Sequence, residues 1–186
     1  MKHQPVHSVV SFYVNRYIAW EDQLTLQCNQ LQRSRILRWV FAWASRLGDG
    51  VGWYGLMAVL MLLYGAQLAV PMAWLLFSAA LGMVIYKLIK HHTARVRPLH
   101  RNHHLMVSIL PLDRYSFPSG HTLHACNFAI QLAVMVPALA VALAVAALLI
   151  ALSRLVLGLH YLSDVLAGAG IGVLLAWSSL QLQSTI

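Results

Sequence analysis

The feature that most restricts the fold is a long stretch without formal charge. No Asp, Glu, Lys or Arg occurs from Tyr115 to Ser153, a run of 39 residues with Pro137 near its middle. Because about 20 apolar residues can cross the hydrocarbon core of a bilayer as a helix, this run predicts two spans, at about 119–136 and 138–158. Only 10% of all residues are charged, whereas soluble domains have roughly a quarter. The chain is therefore expected to be an integral membrane protein.

The other apolar stretches predict three further spans. Two of them lie before the long run and are joined by a turn near 66–71, which Pro71 marks. Gly158 is expected to end the fourth span. The last span contains Gly168 and Gly172, whose GxxxG spacing lets two helices approach closely. The predicted fold class is all-α, a polytopic membrane helical bundle of about five transmembrane helices, at about 51–69, 70–90, 119–136, 138–158 and 160–182.

Residues 5–32 predict an additional, amphipathic helix. The apolar residues recur at alternating spacings of four and three, which places them on one stripe, and the opposite face is too polar to span a membrane. We expect this helix to lie along the membrane interface, and packing over a loop is the alternative. The stripe comprises Val6, Val10, Tyr13, Tyr17, Trp20 and Leu24.

The expected organisation is an N-terminal interfacial helical segment, 1–50, followed by a transmembrane domain, 51–186. Asp49 lies in a glycine-rich interruption before the first span and is expected to cap the helix that follows. No cleavable signal peptide is expected, because polar residues interrupt the apolar ones from 1 to 20.

Two charged residues interrupt the apolar last third of the chain. From residue 115 onward only Arg154 and Asp164 are formally charged, and an ionisable group at membrane depth is costly unless it is paired. His160 and Asp164 are four residues apart, which places them on one face of a helix. The carboxylate could then accept a hydrogen bond from the imidazole, leaving the other ring nitrogen free as a base or nucleophile. The alternative is that Asp164 only caps the start of a helix.

Five antiparallel spans would bring three distant segments to one membrane face. Lys90 and Arg97 are seven residues apart, which is two turns along one helical face if the helix persists that far, and Arg154 adds a guanidinium from another helix. Such cations bind phosphate oxygens. Ser119 is expected to cap the third span, where Gly120 lets backbone N–H groups approach an anion. We therefore interpret Lys90, Arg97, Ser119, Gly120 and Arg154 as phosphate-binding residues.

Two histidines complete the expected site. His160, oriented by Asp164, is the better nucleophile toward phosphorus, and His121 is the better general acid for the leaving group. The histidines between residues 91 and 117 also raise the possibility of a metal site. Only one carboxylate accompanies them, however, and no ligand spacing such as HExxH occurs. We expect His160, His121 and Asp164 to act without a metal or any other cofactor.

Together these residues resemble the three-part signature of the type 2 phosphatidic acid phosphatase superfamily. Its parts in this sequence are Lys90 with Arg97-Pro98, then Pro118-Ser119-Gly120-His121, then Ser153-Arg154 with His160 and Asp164. The resemblance covers about residues 87–168. It implies an α-helical membrane phosphatase that acts on lipid phosphates or diphosphates through a phosphohistidine at His160. The superfamily also includes soluble vanadate-dependent haloperoxidases, but a membrane-embedded chain of this size argues against that activity.

The resemblance does not decide which lipid is the substrate. The candidates are undecaprenyl diphosphate, phosphatidylglycerophosphate, phosphatidate and lipid A phosphates, and the substrates usual in the family favour the polyprenyl diphosphate. A lipid-to-lipid phosphotransferase that uses the same site is the main alternative. A non-catalytic protein that binds anionic lipid is the third, although binding has no use for a paired His160 and Asp164. The net charge of +8 suits anionic and phosphorylated lipids better than nucleic acid, and no obligate protein partner is expected.

The expected location is the cell (inner) membrane, with the active site at one face. If the N-terminal helix lies on the catalytic side, all thirteen Lys and Arg do too, and the positive-inside rule makes that side cytoplasmic. The resemblance favours the periplasmic side. Labelling of the loop around His100 would decide between the two orientations.

Overall fold

A computed structural model describes residues 6–111 and 113–185 of the chain, with side chains from residue 12 onward. Its described residues form helices, with a single isolated β-bridge between Val96 and Tyr115. The all-α prediction is confirmed. The helices are α1 (Val6–Asn29), α2 (Arg35–Leu47), α3 (Val51–Tyr64), α4 (Ala69–Thr93), α5 (Pro98–Arg101), α6 (Gly120–Met135), α7 (Ala140–Val156) and α8 (Leu162–Gln183).

Among the residues that the structure describes, three helical stretches are long and apolar enough to cross a membrane: Val51–Thr93, Pro137–Val156 and Leu162–Ser184. The first contains both α3 and α4, and Trp53 and Tyr86, which lie near its two ends, line the same cavity. It is therefore folded back on itself. The 16 residues of α6 extend over about 24 Å, less than a hydrocarbon core of roughly 30 Å. The number of five spans thus stays a prediction.

Some helix boundaries differ from the predicted ones, because the residues of the connecting turns determine where a helix begins or ends. The connection between α3 and α4 is a 3-10 turn at Gly65–Leu68, which begins with Gly65 at a φ of +63°. Pro71 does not mark this turn but lies in the first turn of α4, where its missing N–H loses no helical hydrogen bond. Gly158 has a φ of +68° just past α7 and ends it as expected. The last helix begins at Leu162, two residues later than predicted.

Two glycines let α6 and α8 pack backbone against backbone. A Cβ atom at Gly168 would lie 2.4 Å from the carbonyl oxygen of Ser119, and one at Gly172 would lie 2.3 Å from that of Leu123. Real Cβ atoms essentially never come within 3.0 Å of another atom in this way. The GxxxG prediction is therefore confirmed.

A buried polar cluster joins three of the helices. Gln131 of α6 donates to Ser78 of α4 (2.8 Å) and accepts from Ser179 of α8 (2.8 Å), while Asn127 donates to Ser78 (3.0 Å). All four side chains are buried. Hydrogen bonds of this kind hold helices together where the surroundings are apolar.

The N-terminal helix packs through its polar face. Its exposed side carries aromatic residues of the predicted apolar stripe, whereas Glu21, Thr25 and Asn29 are buried, as is Gln32 in the 3-10 turn Gln30–Arg33 that follows. The Asn29 and Gln32 amides each donate to the carbonyl oxygens of Met106 and Val156. Hydrogen bonds of buried polar side chains thus connect this helix to the rest of the protein. The exposed stripe residues are Tyr13, Tyr17 and Trp20, and the side chains of Val6 and Val10 lie outside the described part.

Candidate active site

A cavity of about 410 Å³ lies between α3, α4, α6 and α7. Aromatic and apolar side chains, including Trp53, Tyr54 and Phe128, form one part of its wall, and charged side chains form the other. Six of the eight residues predicted for the site line it, and the other two, Ser119 and Asp164, are fully buried nearby. The six are Lys90, Arg97, Gly120, His121, Arg154 and His160.

Lys90 and Arg97 converge, but not along a common helix. Because α4 ends at Thr93 and Ala94 adopts a left-handed φ of +44°, the prediction that they share one helical face is wrong. Their side chains meet instead at Asp113, whose carboxylate lies 2.6 Å from Lys90 Nζ and 2.5 Å from Arg97 Nη2. The structure therefore gathers the two cations through a carboxylate that the sequence analysis did not assign.

Asp113 is charged in this setting. Partial burial raises the pKa of its carboxyl, but the hydrogen bond and charge of Lys90 and the charge of Arg97 outweigh this effect and hold the pKa below its usual value. A carboxylate that bridges two buried cations occupies a position suited to an anion.

Arg154 contributes a third guanidinium to the cavity. It is almost completely buried in the last turn of α7, and its Nη1 donates to Ser45 Oγ of α2. Its Nε has no hydrogen-bond partner among the residues that the structure describes. A buried N–H without a partner is costly, so this group is available to any acceptor that reaches it.

His160 lies in the connection before α8, not on the helix. Its Nδ1 is 3.6 Å from Asp164 Oδ2, too far for a hydrogen bond, and finds no other partner in the described part of the chain. The prediction that both residues share a helical face, joined by a hydrogen bond, is therefore wrong in this geometry. His160 Nε2 lies 3.1 Å from Arg97 Nη1. Burial, followed by the charges of Arg97 and Arg154, lowers the pKa of His160 well below its usual value, so the ring is neutral at neutral pH.

Asp164 caps α8 and binds Arg95. Its Oδ2 accepts from the backbone N–H of Tyr161 at 2.8 Å, which is the capping role that the sequence analysis kept as an alternative. Its Oδ1 accepts from Arg95 Nη1 at 2.6 Å. The other terminal nitrogen of Arg95 donates to Glu21 of α1 at 2.6 Å, and Glu21 also accepts from the backbone N–H of Ser163 at 2.9 Å. The N-terminal helix thus contacts the residues that hold Asp164 in place. It does so through the ion pair between Glu21 and Arg95, which the sequence analysis did not predict.

His121 is paired with a carboxylate as well. Its Nε2 lies 2.5 Å from Asp49 Oδ1. The expected capping role of Asp49 is wrong, because Gly50 occupies the N-cap position of α3. The only signal for this pairing in the sequence was the scarcity of acidic residues, of which the chain has five.

Ser119 stands at the N-cap position of α6, as predicted, but its side chain does not cap the helix. Its Oγ lies 3.0 Å from the Thr122 hydroxyl, and its N–H donates to the Asp164 carbonyl oxygen at 2.9 Å. Ser119 is not among the residues that line the cavity, whereas Gly120 is. The first turn of α6 is therefore tied directly to the first turn of α8, beside the cavity.

Comparisons with known proteins agree on one family. The family model described as the PAP2 superfamily matches residues 71–186. A lipid A 1-phosphatase of Rhizobium johnstonii is 34% identical over 112 residues, which is 58% of this chain and 45% of the relative. An undecaprenyl-diphosphatase of Sulfolobus acidocaldarius is 31% identical over 113 residues, 60% of this chain and 54% of the relative. The chain therefore spans about half the length of these curated relatives.

The fold is shared with a solved structure over the whole chain. The transmembrane PAP2 type phosphatidylglycerolphosphate phosphatase from Bacillus subtilis aligns with a TM-score of 0.72 at 22% sequence identity, covering 100% of this chain and 98% of that protein. Identity at this level shows the fold alone. The apolar helices and this transmembrane neighbour together establish the chain as a membrane protein.

Proposed function

The chain belongs to the PAP2 superfamily, and we propose that it is a membrane phosphatase that hydrolyses a lipid phosphate or diphosphate through a phosphohistidine at His160. One observation carries this proposal. The neutral ring of His160 and the cations Lys90, Arg97 and Arg154 all line a single cavity whose other wall is aromatic and apolar. A nucleophile, an anion site and a surface for a lipid chain thus meet in one place.

Binding would begin with the exchange of one anion for another. The phosphate displaces Asp113 from Lys90 and Arg97, and it accepts the N–H of Arg154 that lacks a partner. Fixed cations in a partly water-excluded site oppose the charge that develops on the phosphoryl oxygens in the transition state. We propose that the first turn of α6, with Ser119 and Gly120, adds backbone donors at the same place.

The first half-reaction transfers the phosphoryl group to the enzyme. The lone pair on His160 Nε2 attacks phosphorus, the bond from phosphorus to the leaving oxygen breaks, and that oxygen takes a proton from His121. Asp164 lies on the Nδ1 side of His160 at 3.6 Å, where its charge stabilises the ring as it becomes positive.

The second half-reaction returns the enzyme to its starting state. A water molecule attacks the phosphohistidine, and its proton passes to His121, which the first step left neutral. The bond between phosphorus and Nε2 breaks, and inorganic phosphate leaves. The cycle needs no metal, and we propose that none takes part.

The substrate class follows from the relatives' names and from the cavity wall. Relatives are named as a lipid A 1-phosphatase and an undecaprenyl-diphosphatase. We propose that a lipid of the undecaprenyl diphosphate, phosphatidylglycerophosphate or phosphatidate class is hydrolysed, with the polyprenyl diphosphate first. Phosphate release by the purified enzyme on a panel of these lipids tests the assignment, and a labelled acceptor lipid would reveal transfer instead of hydrolysis.

We propose that the chain crosses the inner membrane several times, with residues 51–186 as the phosphatase domain and residues 1–50 as an interfacial segment. The exposed aromatic face of α1 suits the headgroup layer. The site would face the periplasm. A single cysteine introduced at His100, in a Cys28→Ser/Cys126→Ser background, should react with a membrane-impermeant thiol reagent in intact spheroplasts. Reaction only after lysis places the site on the cytoplasmic side.

The nucleophile assignment has a direct test. His160→Ala should lose phosphate release by about a thousandfold or more on every lipid phosphate that the wild type hydrolyses. His92→Ala is the matched control, because His92 is an exposed histidine outside the cavity. Wild-type activity should persist in EDTA and be inhibited by vanadate. An active His160→Ala enzyme would end the proposal, and loss of activity in EDTA would point to a metal.

A further inference from the structure

A short turn outside the region matched by the family model reaches the predicted general acid. Gly48, Asp49 and Gly50 connect α2 to α3, and all three line the cavity. A Cβ atom at Gly48 would lie 3.0 Å from Cδ2 of His121 and 2.9 Å from Cγ2 of Ile150, so the turn lies directly against the imidazole ring. Gly50 has a φ of +105°, a value that side chains rarely allow. The local sequence thus suits a close approach to His121.

The carboxylate in this turn is ionised and aimed at the ring. Asp49 Oδ1 lies 2.5 Å from His121 Nε2, and the carboxylate is still 37% exposed. The hydrogen bond with His121 is the largest of the effects that lower the pKa of Asp49. A short hydrogen bond between a carboxylate and one ring nitrogen fixes both the orientation of the ring and the nitrogen that carries the proton.

We infer that Asp49 is a positioning residue for His121 in the proposed phosphatase reaction. By accepting the Nε2–H, Asp49 leaves Nδ1 as the nitrogen that gives its proton to the leaving oxygen as the bond from phosphorus breaks. Nε2 keeps its proton, so the ring becomes neutral and its Nδ1 takes the proton from water in the second half-reaction. Whenever the ring carries the proton that is to be transferred, the carboxylate stabilises its positive charge. This inference rests on the proposed function.

The inference predicts a dependence on the leaving group. A lipid monophosphate expels an alkoxide, which is strongly basic and needs a proton, whereas the corresponding diphosphate expels a far less basic phosphate. Loss of acid catalysis should therefore harm the monophosphate much more. Dioleoyl phosphatidate and dioleoylglycerol diphosphate have the same diacylglycerol portion and differ in the basicity of the leaving group. Undecaprenyl phosphate and undecaprenyl diphosphate form a second pair.

The experiment compares single-turnover phosphate release by D49N on both members of a pair. We expect a loss of about a hundredfold with the monophosphate and about tenfold or less with the diphosphate. D49E retains the charge and should recover a large part of the monophosphate activity. D22N is the control, because Asp22 is another carboxylate of the first 50 residues that does not line the cavity, and its ion pair with Arg101 is long, 3.7 Å.

A double-mutant cycle shows whether Asp49 acts through His121. In the H121A background, D49N should change the rate less than about twofold, because the ring that it positions is gone. Equal losses on both substrates, no loss, or an undiminished effect in the H121A background would each overturn the inference. If D49N does not fold, D49E decides on the same two substrates. A wild type that releases no phosphate, or an active H160A variant, would instead refute the proposed function itself.

Discussion

Replacing Gly168 by alanine should disturb the site from a distance, through the backbone of another helix. The new Cβ would lie 2.4 Å from the carbonyl oxygen of Ser119, and the two helices would have to separate until this distance is at least 3.0 Å. A backbone carbonyl at the start of α6 cannot rotate away as a side chain can. The first turn of α6, which carries Gly120 and His121, must therefore move.

The magnitude follows from two opposing effects. Overpacking of a rigid contact costs up to about 3 kcal/mol, and alanine in place of glycine within a helix returns about 1 kcal/mol. A net loss of about 2 kcal/mol lowers the melting temperature by about 4–8 °C in a chain of this size. Because a misplacement of about 1 Å can cost a hundredfold in rate, the smaller shift here should cost about tenfold in kcat.

Gly170→Ala is the matched control in the same helix. A Cβ at Gly170 meets nothing within 4 Å, so this variant should melt about 2–4 °C higher than the wild type and keep its activity. Melting can be followed in detergent with a thiol-reactive dye, since Cys28 and Cys126 are free and half-buried. If Gly168→Ala and Gly170→Ala behaved alike in both stability and phosphate release, the close contact between α6 and α8 would not set the geometry of the site.

Three further predictions concern single ionisable groups. Glu21→Ala should lower the stability by about 3 kcal/mol, because it leaves the Ser163 N–H without its partner and removes one carboxylate from Arg95. Glu21→Gln should lower it by only about 1 kcal/mol. Equal melting temperatures of the two variants would contradict this reasoning. Asp113→Asn should tighten inhibition by vanadate about tenfold, because the anion no longer displaces a carboxylate, and unchanged inhibition would refute the exchange. The lowered pKa of His160 means that below about pH 6.5 the unfolded chain binds a proton that the folded protein does not. Stability should therefore fall on acidification, by up to about 1.4 kcal/mol per pH unit from this group. Melting of His160→Gln should show a shallower pH dependence, and parallel curves would contradict the argument.

The sequence was sufficient for the parts of the fold that follow from local pattern. The apolar runs located the helices of the bundle, and the spacing of Gly168 and Gly172 identified a close helix contact. Six residues named from their chemical type and order line one cavity. Their roles in binding and catalysis stay predictions.

The partners of these residues could not be located in the same way. Asp49 meets His121 across 72 positions and Glu21 meets Arg95 across 74, and no periodicity connects such distant residues. The geometry of His160 was misjudged for a related reason, because the i, i+4 argument assumes a helix that begins two residues too early. One general signal was available. A membrane chain with five acidic residues has few ways to neutralise buried cations, so each carboxylate on the expected catalytic face was a candidate partner.

The polar cluster of Ser78, Asn127, Gln131 and Ser179 has a consequence for the direction in which the catalytic ring points. Apolar contacts are non-directional, so the packing of α6 against its neighbours specifies its rotation less sharply than hydrogen bonds do. Turning α6 by one residue would swing both amides by about 100°, away from Ser78 of α4 and Ser179 of α8. Asn127 lies about 9 Å along the helix from His121. The rotation of α6, and with it the direction in which His121 leaves the helix, is therefore set by hydrogen bonds inside the bundle, while Asp49 holds the ring itself.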